Sequence, residues 1–181
     1  MLEKEIKILD VDVQKLCTQL EGFWAEKTFD GFIHDVYYDF QDDKMQEEKR
    51  LFRIRKKGEL HMYTIKRKRK NKKIRQSDEH EMEITDVDSF AKVLEKYGMD
   101  KIREKKKYRI SYKLGTMEFD IDDYYIGDNS KIIPPLLEIE WAKKKDIKLW
   151  IEKLWLQDHE TKWFGSRWLF KHYWQDYSYF E

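Results

Sequence analysis

Charged residues recur at every second position in several short stretches of this sequence. Successive side chains of a β-strand point to opposite faces, so residues two apart share a face. The first such stretch has Glu3, Glu5 and Lys7 on one face and Ile6 and Ile8 on the other. The remaining stretches carry a single sign: Arg53 and Arg55; Arg103, Lys105, Lys107 and Arg109; Glu81 and Glu83; Glu118, Asp120 and Asp122; Glu138 and Glu140. Carboxylates ligate divalent cations, and Arg and Lys bind phosphate oxygens, so the two kinds of face together suit a polyphosphate with its metal ion.

The elements that must position these residues are predominantly strands. Period-two alternation predicts eight of them, at residues 2–9, 33–40, 50–57, 60–68, 76–85, 102–113, 116–125 and 135–141. Gly58 and Glu59 lie between two such runs and predict a tight hairpin. Apolar residues at helical spacing predict three helices, near residues 13–20, 90–97 and 146–156. The stretch 128–135 contains both prolines and is predicted as a loop, and the aromatic tail 163–180 is expected to pack on the domain.

Two architectures fit these strands. Eight strands can form a barrel whose interior holds side chains or one small ligand, with the charged faces inward and the helices covering the apolar outer faces. The alternative is a sandwich with an ordinary apolar core and the charges in solvent. Buried charge is costly unless it is paired or meets an opposite ligand. The segregation of the two signs onto separate strands favours the ligand-binding barrel.

Composition narrows the class of protein. The 181 residues suit a single domain, 1–181, and 40% of them are charged with a formal net charge of only +1. This balance gives no general reason for a nucleic-acid or anionic membrane partner. Cys17 is the only cysteine, which fits a reducing compartment, and neither a signal peptide nor a membrane-spanning apolar run is predicted. A cytoplasmic protein that is a monomer or homodimer is expected.

The charged stretches also resemble a known family in order along the chain. Residues 3–7 (Glu-Lys-Glu-Ile-Lys) are similar to the ExExK motif that opens the CYTH family, whose members are also called triphosphate tunnel metalloenzymes. Seven further stretches resemble the later strands of the family, in the same order: 34–39, 51–55 (Leu-Phe-Arg-Ile-Arg), 64–66 (Thr-Ile-Lys), 81–84, 107–112 (Lys-Tyr-Arg-Ile-Ser-Tyr), 119–122 and 137–140. The resemblance covers residues 2 to about 141.

The resemblance implies a fold and a set of site residues. The family fold is α+β, an eight-stranded antiparallel β-barrel or tunnel with a charged interior and flanking helices. Carried over to this sequence, the catalytic residues are Glu3, Glu5 and Lys7. The ligands for Mg²⁺ or Mn²⁺ are Glu3, Glu5, Asp122, Glu138 and Glu140. The triphosphate-binding residues are Lys7, Arg53, Arg55, Lys66, Lys107 and Arg109. For Glu81 and Glu83 two roles stay open, a second metal site or structural ion pairs with facing cations.

Three functions remain as expectations. The resemblance implies a metal-dependent phosphohydrolase acting on a linear triphosphate, which is inorganic triphosphate, a nucleoside triphosphate or thiamine triphosphate. The first alternative is a class IV adenylyl cyclase, which converts ATP to cyclic AMP and pyrophosphate. The second is non-catalytic binding of polyphosphate or RNA, including an RNA 5′-triphosphate, through the basic run 66–75.

Overall fold

The described part of the chain forms one antiparallel sheet and five helices. The computed structural model describes residues 2–68, 75–125, 131–140, 144–163 and 165–173, with the side chains of 2–4, 68, 75–76, 144–145 and 166–167 outside the description. The strands are β1 (Leu2–Ile8), β2 (Glu26–Phe40), β3 (Arg50–Lys57), β4 (Leu60–Lys68), β5 (Arg75–Glu83), β6 (Met99–Leu114), β7 (Met117–Tyr125), β8 (Leu136–Glu140) and β9 (Thr161–Lys162). The helices are α1 (Val13–Gly22), α2 (Lys44–Glu47), α3 (Val87–Lys96), α4 (Lys144–Lys153) and α5 (Ser166–His172).

The sheet curls into a tunnel, and β1 lies in the wall where the two ends of the sheet meet. The strand order is β5-β4-β3-β2-β6-β7-β8-β1, and β1 also pairs with β5. The first half of β1 lies beside β5, with Glu3 opposite Ser77, and its second half lies beside β8, with Lys7 opposite Glu138. The two-residue β9 pairs with the end of β1. The prediction of an eight-stranded antiparallel tunnel with flanking helices is therefore confirmed.

Helices cover the apolar outer faces of the strands. One cluster joins residues of α1 and α4, including Leu16, Leu20 and Trp150, to Ile6 and Ile139 on the outside of β1 and β8. A second cluster packs α2 and α3 against the outside of β2 and β3. With the apolar faces buried outside under helices, the charged faces point into the tunnel, as the alternation predicted.

One end of the tunnel is closed by α5. Leu9, Tyr124 and Leu136 continue the inward-facing positions of β1, β7 and β8, and they pack against Leu169 and Phe170 of α5. The side chains of Leu169 and Phe170 are fully buried. The predicted packing of the aromatic tail is confirmed for these residues, whereas residues 174–181 lie outside the description.

Several element boundaries differ from the sequence predictions. β2 begins at Glu26 rather than at residue 33, because its first half pairs with the long β6, starting with Glu26 opposite Lys113. The alternation of polar and apolar residues is irregular at residues 26–32, so the sequence did not predict this part of the strand. The four-residue α2 was not predicted, since it is held by the buried Asp39 carboxylate, which accepts hydrogen bonds from the backbone N–H groups of Met45 and Gln46 at 2.8 and 3.0 Å.

The remaining sequence predictions agree more closely. The Gly58–Glu59 hairpin is confirmed, with Gly58 at a φ of +61°, where a residue without Cβ meets no steric cost. The third predicted helix, 146–156, is α4, which begins at Lys144 and ends at Lys153. Residues 128–130 of the predicted loop 128–135 lie outside the description, and residues 131–135 are in neither a helix nor a named strand, in agreement with the prediction. Within the described residues, no helix has both the length and the apolar character needed to cross a membrane.

Candidate functional site in the tunnel

Three carboxylates converge on one wall of the tunnel. Glu138 and Glu140 lie on β8 beside β1, and each places a carboxylate oxygen within 4.8 Å of the others and of Glu5. Glu5 and Glu138 are buried, and the Lys7 ammonium donates to Glu5 at 3.2 Å and to Glu138. These three residues are called the carboxylate cluster below.

A second ion-pair network lies next to this cluster. Arg109 of β6 donates through Nε and Nη2 to the two carboxylate oxygens of Asp122, each at 2.6 Å. Its other contacts are with Asp120 and with Glu138, at 3.0 Å for the latter, so it joins the network to the carboxylate cluster. The Lys107 ammonium donates to Asp122 at 2.6 Å. The predicted metal ligand Asp122 thus lies with two predicted phosphate-binding residues and not in the carboxylate cluster.

A third network occupies the wall formed by β2, β3, β4 and β5. Arg55 makes a two-pronged contact with Asp35, Nε to Oδ1 at 2.6 Å and Nη2 to Oδ2 at 2.9 Å. Arg53 lies between Asp35 and Glu81, with nitrogen–oxygen distances of 3.7 and 3.3 Å. Lys66 pairs with Glu79 at 2.6 Å. For Glu81 the ion-pair alternative agrees with this geometry, while Glu83 is exposed.

The electrostatics of the tunnel depend on these pairs. Burial by itself would raise the pKa of Glu138, but Lys7, Lys107 and Arg109 outweigh it and hold that pKa well below its usual range. Burial and the neighbouring Arg109 lower the pKa of Lys107. Buried ion pairs contribute less to stability than apolar packing of similar volume. A tunnel lined with ion pairs therefore stabilises the fold less than an apolar core would, and its charges are suited to binding a highly charged ligand.

The carboxylate cluster fits a divalent metal ion by the chemistry of its donors. Mg²⁺ and Mn²⁺ prefer oxygen ligands, and carboxylates are their usual side-chain ligands. Glu5, Glu138 and Glu140 offer three such groups within bridging distance of one point, two of them buried. These three residues would hold the ion. Glu3 is in β1 two residues from Glu5, but its side chain lies outside the description.

The structure brings together most of the residues predicted for the site. Lys7, Arg53, Lys107 and Arg109 are buried, and Arg55 and Lys66 are nearly so. The site also contains charged residues that had not been predicted as site residues: Asp35, Glu79, Lys105 and Asp120. Each lies on a strand face where charged residues recur at every second position, and this pattern was the signal that could have identified them as site residues. Their partners come from neighbouring strands, however, and the sequence does not state which strands are neighbours.

The stability of the fold is expected to decline in acid through Asp35. Burial would raise the pKa of this carboxyl, but the Arg55 and Arg53 guanidinium groups hold it far below its ordinary range. A carboxylate with a depressed pKa contributes stability above the unfolded-state pKa of about 3.9, and this contribution is lost as the pH falls below it. Urea unfolding at a series of pH values from 7 to 2.5 measures the decline. Asp35→Asn should show a shallower decline than the wild type, and equal slopes would contradict this assignment.

Comparison with known proteins places these features in a family. The sequence model of the CYTH domain matches residues 1–160. A Methanocaldococcus jannaschii protein provisionally named an adenylate cyclase is 28% identical over 123 residues, which is 68% of this chain and 70% of the relative.

Solved structures share the fold. One from Vibrio parahaemolyticus, also provisionally titled an adenylate cyclase, has a TM-score of 0.70 at 14% identity and covers 94% of this chain and 98% of its own. One from Hippeastrum, provisionally named an adenylyl cyclase and described as having a dominant triphosphatase activity, has a TM-score of 0.63 at 10% identity and covers 98% of both chains. Because the family model spans most of the sequence, this chain belongs to the CYTH domain family.

Proposed function

We propose that this chain is a divalent-metal-dependent triphosphatase that hydrolyses a linear triphosphate inside the tunnel. The observation that carries the proposal is the direct contact between the carboxylate cluster and the cationic networks, through Glu138 paired with both Lys7 and Arg109. A ligand that bridges these groups needs several anionic oxygens and a bound metal ion. A triphosphate–metal complex has both.

The residues of the tunnel have distinct roles in this proposal. Arg55, Lys107 and Arg109 bind the phosphate oxygens and neutralise the charge that develops on the leaving phosphate. The carboxylate cluster and, by family resemblance, Glu3 and Asp122 would hold the metal ion, which would supply Lewis-acid polarisation of the phosphate oxygens. In the reaction, the oxygen of water forms a bond to the terminal phosphorus and the bridging phosphorus–oxygen bond breaks. Orthophosphate and the shortened phosphate leave, and one proton of the water is released.

Substrate binding in this proposal is an exchange of ion-pair partners. The Asp35 contact uses Nε and Nη2 of Arg55, two of the three nitrogens of the guanidinium group. Phosphate oxygens can therefore approach Nη1 of Arg55 without separation of its pair with Asp35. Arg109 differs, because all three of its nitrogens contact Asp120, Asp122 or Glu138, so it must exchange partners. Since the cations are already held in place, little side-chain entropy is lost when the triphosphate binds.

The test is turnover of inorganic triphosphate, nucleoside triphosphates and thiamine triphosphate with Mg²⁺ or Mn²⁺. We expect release of orthophosphate that depends on the added metal and stops on chelation. Failure of the folded protein to release phosphate from any of these compounds, with either metal, would contradict the proposal.

The second candidate function is that of an adenylyl cyclase, favoured by the name of the M. jannaschii relative. In that reaction the ribose 3′-oxygen of ATP attacks the α-phosphorus and pyrophosphate leaves. Product analysis after incubation with ATP and Mn²⁺ separates the two functions. Cyclic AMP with pyrophosphate identifies a cyclase, and orthophosphate with ADP identifies the proposed hydrolase.

A further inference from the structure

Two exposed tryptophans follow the C-terminal ends of α1 and α4. Trp24 comes after α1 and is 90% exposed, and Trp155 comes after α4 and is 71% exposed. Their φ values are 62° and 54°, in the left-handed region where glycine is the commonest residue after a helix. Glycine adopts this conformation without steric cost, so the fold does not require tryptophan at either position. Strained backbone of this kind is found preferentially at functional sites.

The same hydrogen-bond motif keeps both rings on the outside. The backbone N–H of Ala25 donates to the Leu20 carbonyl at 3.0 Å, and the N–H of Leu156 donates to the Ile151 carbonyl at 2.9 Å. A bond of this span closes a helix in the Schellman motif, in which the left-handed residue comes just before the donor. Ala25 and Leu156 are buried in the apolar cluster beneath the helices. Each motif therefore anchors the residue after the tryptophan in the core, while the tryptophan ring stays in solvent.

The two rings belong to one surface of the helical layer. The Phe23 ring at the end of α1 contacts the Trp150 ring of α4, with centroids 5.3 Å apart, and the Lys15 ammonium lies 5.9 Å from the Trp155 ring. The helices therefore run side by side in opposite directions. Lys15 and Phe23 are separated by about 12 Å along α1, well within the width of an interface of about 800 Å² per partner. The surface is called the tryptophan face below and comprises Phe23, Trp24, Leu149 and Trp155.

The apolar area of the tryptophan face suits a dimer interface. A fully exposed tryptophan side chain presents about 250 Å², so Trp24 and Trp155 together present about 400 Å² at their exposures. Leu149 and Phe23 are also among the exposed large apolar residues and add to this area. Each partner of a stable dimer contributes about 800 Å², of which roughly 65% is apolar in homodimers. The tryptophan face therefore supplies most of the apolar area that one copy must contribute.

The arrangement of the face is self-complementary. A half turn exchanges the ends of two antiparallel helices, so the Trp24 end of one copy meets the Trp155 end of a second copy in both directions, as an isologous interface requires. Each end also carries exposed charges of both signs, Lys15 with Asp12 and Lys153 with Glu21. Every cation can therefore meet a carboxylate of the other copy. This mixture of signs does not match an anionic membrane, which attracts clustered cations.

We propose that two copies of this chain associate about a two-fold axis through the tryptophan face. Trp24 of each copy packs against Trp155 of the other, which removes both rings from water. The two left-handed tryptophans thereby gain a role that a single chain does not give them. The face lies on the outer helical layer and not in the tunnel, so this inference is independent of the proposed function.

The experiment is sedimentation equilibrium of the full chain at concentrations up to about 200 μM, which detects even weak dimers. We expect a dimer, and we expect Trp24→Gly and Trp155→Gly each to raise its Kd by about 100-fold or more. Tryptophans at hot spots dominate interface energies, and a two-fold interface contains each contact twice. Glycine suits the left-handed backbone, so both variants should fold, and circular dichroism verifies this.

The matched control is Trp168→Ala, since Trp168 is 60% exposed on α5 at the closed end of the tunnel. This variant should keep the Kd of the dimer within about twofold of wild type. A dimer that both glycine variants weaken and that Trp168→Ala leaves intact supports the proposal. A wild type that stays monomeric at about 200 μM would leave the face to a different partner and overturns it. A dimer that neither glycine variant weakens overturns it as well.

Discussion

Replacing Glu5 by Gln is expected to lower the metal-dependent kcat by about 10²- to 10³-fold. The substitution keeps the size of the side chain but removes one of the three negative charges of the carboxylate cluster. The metal ion would then bind more weakly and neutralise less charge in the transition state. Steady-state phosphate release at increasing Mg²⁺ or Mn²⁺ measures both effects, with a higher metal concentration needed for half-maximal rate.

The control for this substitution is Glu152→Gln on the exposed side of α4, which should keep wild-type activity within about twofold. Thermal unfolding of Glu5→Gln should resemble that of the wild type, because Lys7 retains Glu138 as its partner. If Glu5→Gln remains folded and keeps more than about a tenth of the activity at saturating metal, the carboxylate cluster is not the catalytic metal site.

Asp122→Ala is expected to lower the free energy of unfolding by about 3–5 kcal/mol. Asp122 is fully buried, and its carboxylate is the partner of both Lys107 and Arg109. Removing it leaves two cations in the tunnel with less compensating charge, which is costlier than the loss of a surface ion pair. Urea unfolding at pH 7 measures the difference.

The exposed Asp158 provides a matched control, since Asp158→Ala should change the free energy of unfolding by no more than about 0.5 kcal/mol. Inorganic triphosphate should stabilise Asp122→Ala if it binds, because an anion in the tunnel supplies the missing negative charge. A loss below about 1 kcal/mol for Asp122→Ala would mean that this ion-pair network contributes little to the fold.

The tunnel was predictable because its strands carry an unusual local pattern. In β6, charged residues alternate with Tyr108 and Ile110, and in β7 with Phe119 and Ile121. Period-two alternation is a property of neighbouring residues, so it can be read without knowing the fold. The segregation of signs onto different strands then supported an interior that binds a ligand, and the family resemblance favoured this tunnel over a sandwich with solvated charges.

The pairing inside the tunnel could not be read in the same way. Lys7 and Glu138 are 131 positions apart in the chain, and Arg109 and Glu138 are 29 apart. Their contacts depend on β6, β7, β8 and β1 being neighbours in that order and in a particular register, which only the complete sheet determines. For the same reason Asp35 was seen as one polar position of a strand, although it is the partner of both Arg53 and Arg55.

Short elements were missed for a different reason. The four-residue α2 is too short for a helical period, and it depends on the Asp39 carboxylate in the preceding strand. The seven-residue α5 has its apolar residues, Trp168, Leu169 and Phe170, in one continuous run, so no helical period can be recognised. Both elements nevertheless lie beside the tunnel, since α2 borders a cavity between β2, β3 and β6, and α5 closes one end of the tunnel.

The most direct test of the account is a crystal of the protein soaked with Mn²⁺ and inorganic triphosphate. Manganese gives an anomalous signal, so its position can be assigned independently of the phosphates. The account predicts a manganese peak bounded by Glu5, Glu138 and Glu140, with phosphate oxygens contacting Arg55, Lys107 and Arg109. A manganese ion and phosphates bound outside the tunnel, with the ion pairs of Glu138 and Asp122 unchanged, would contradict it.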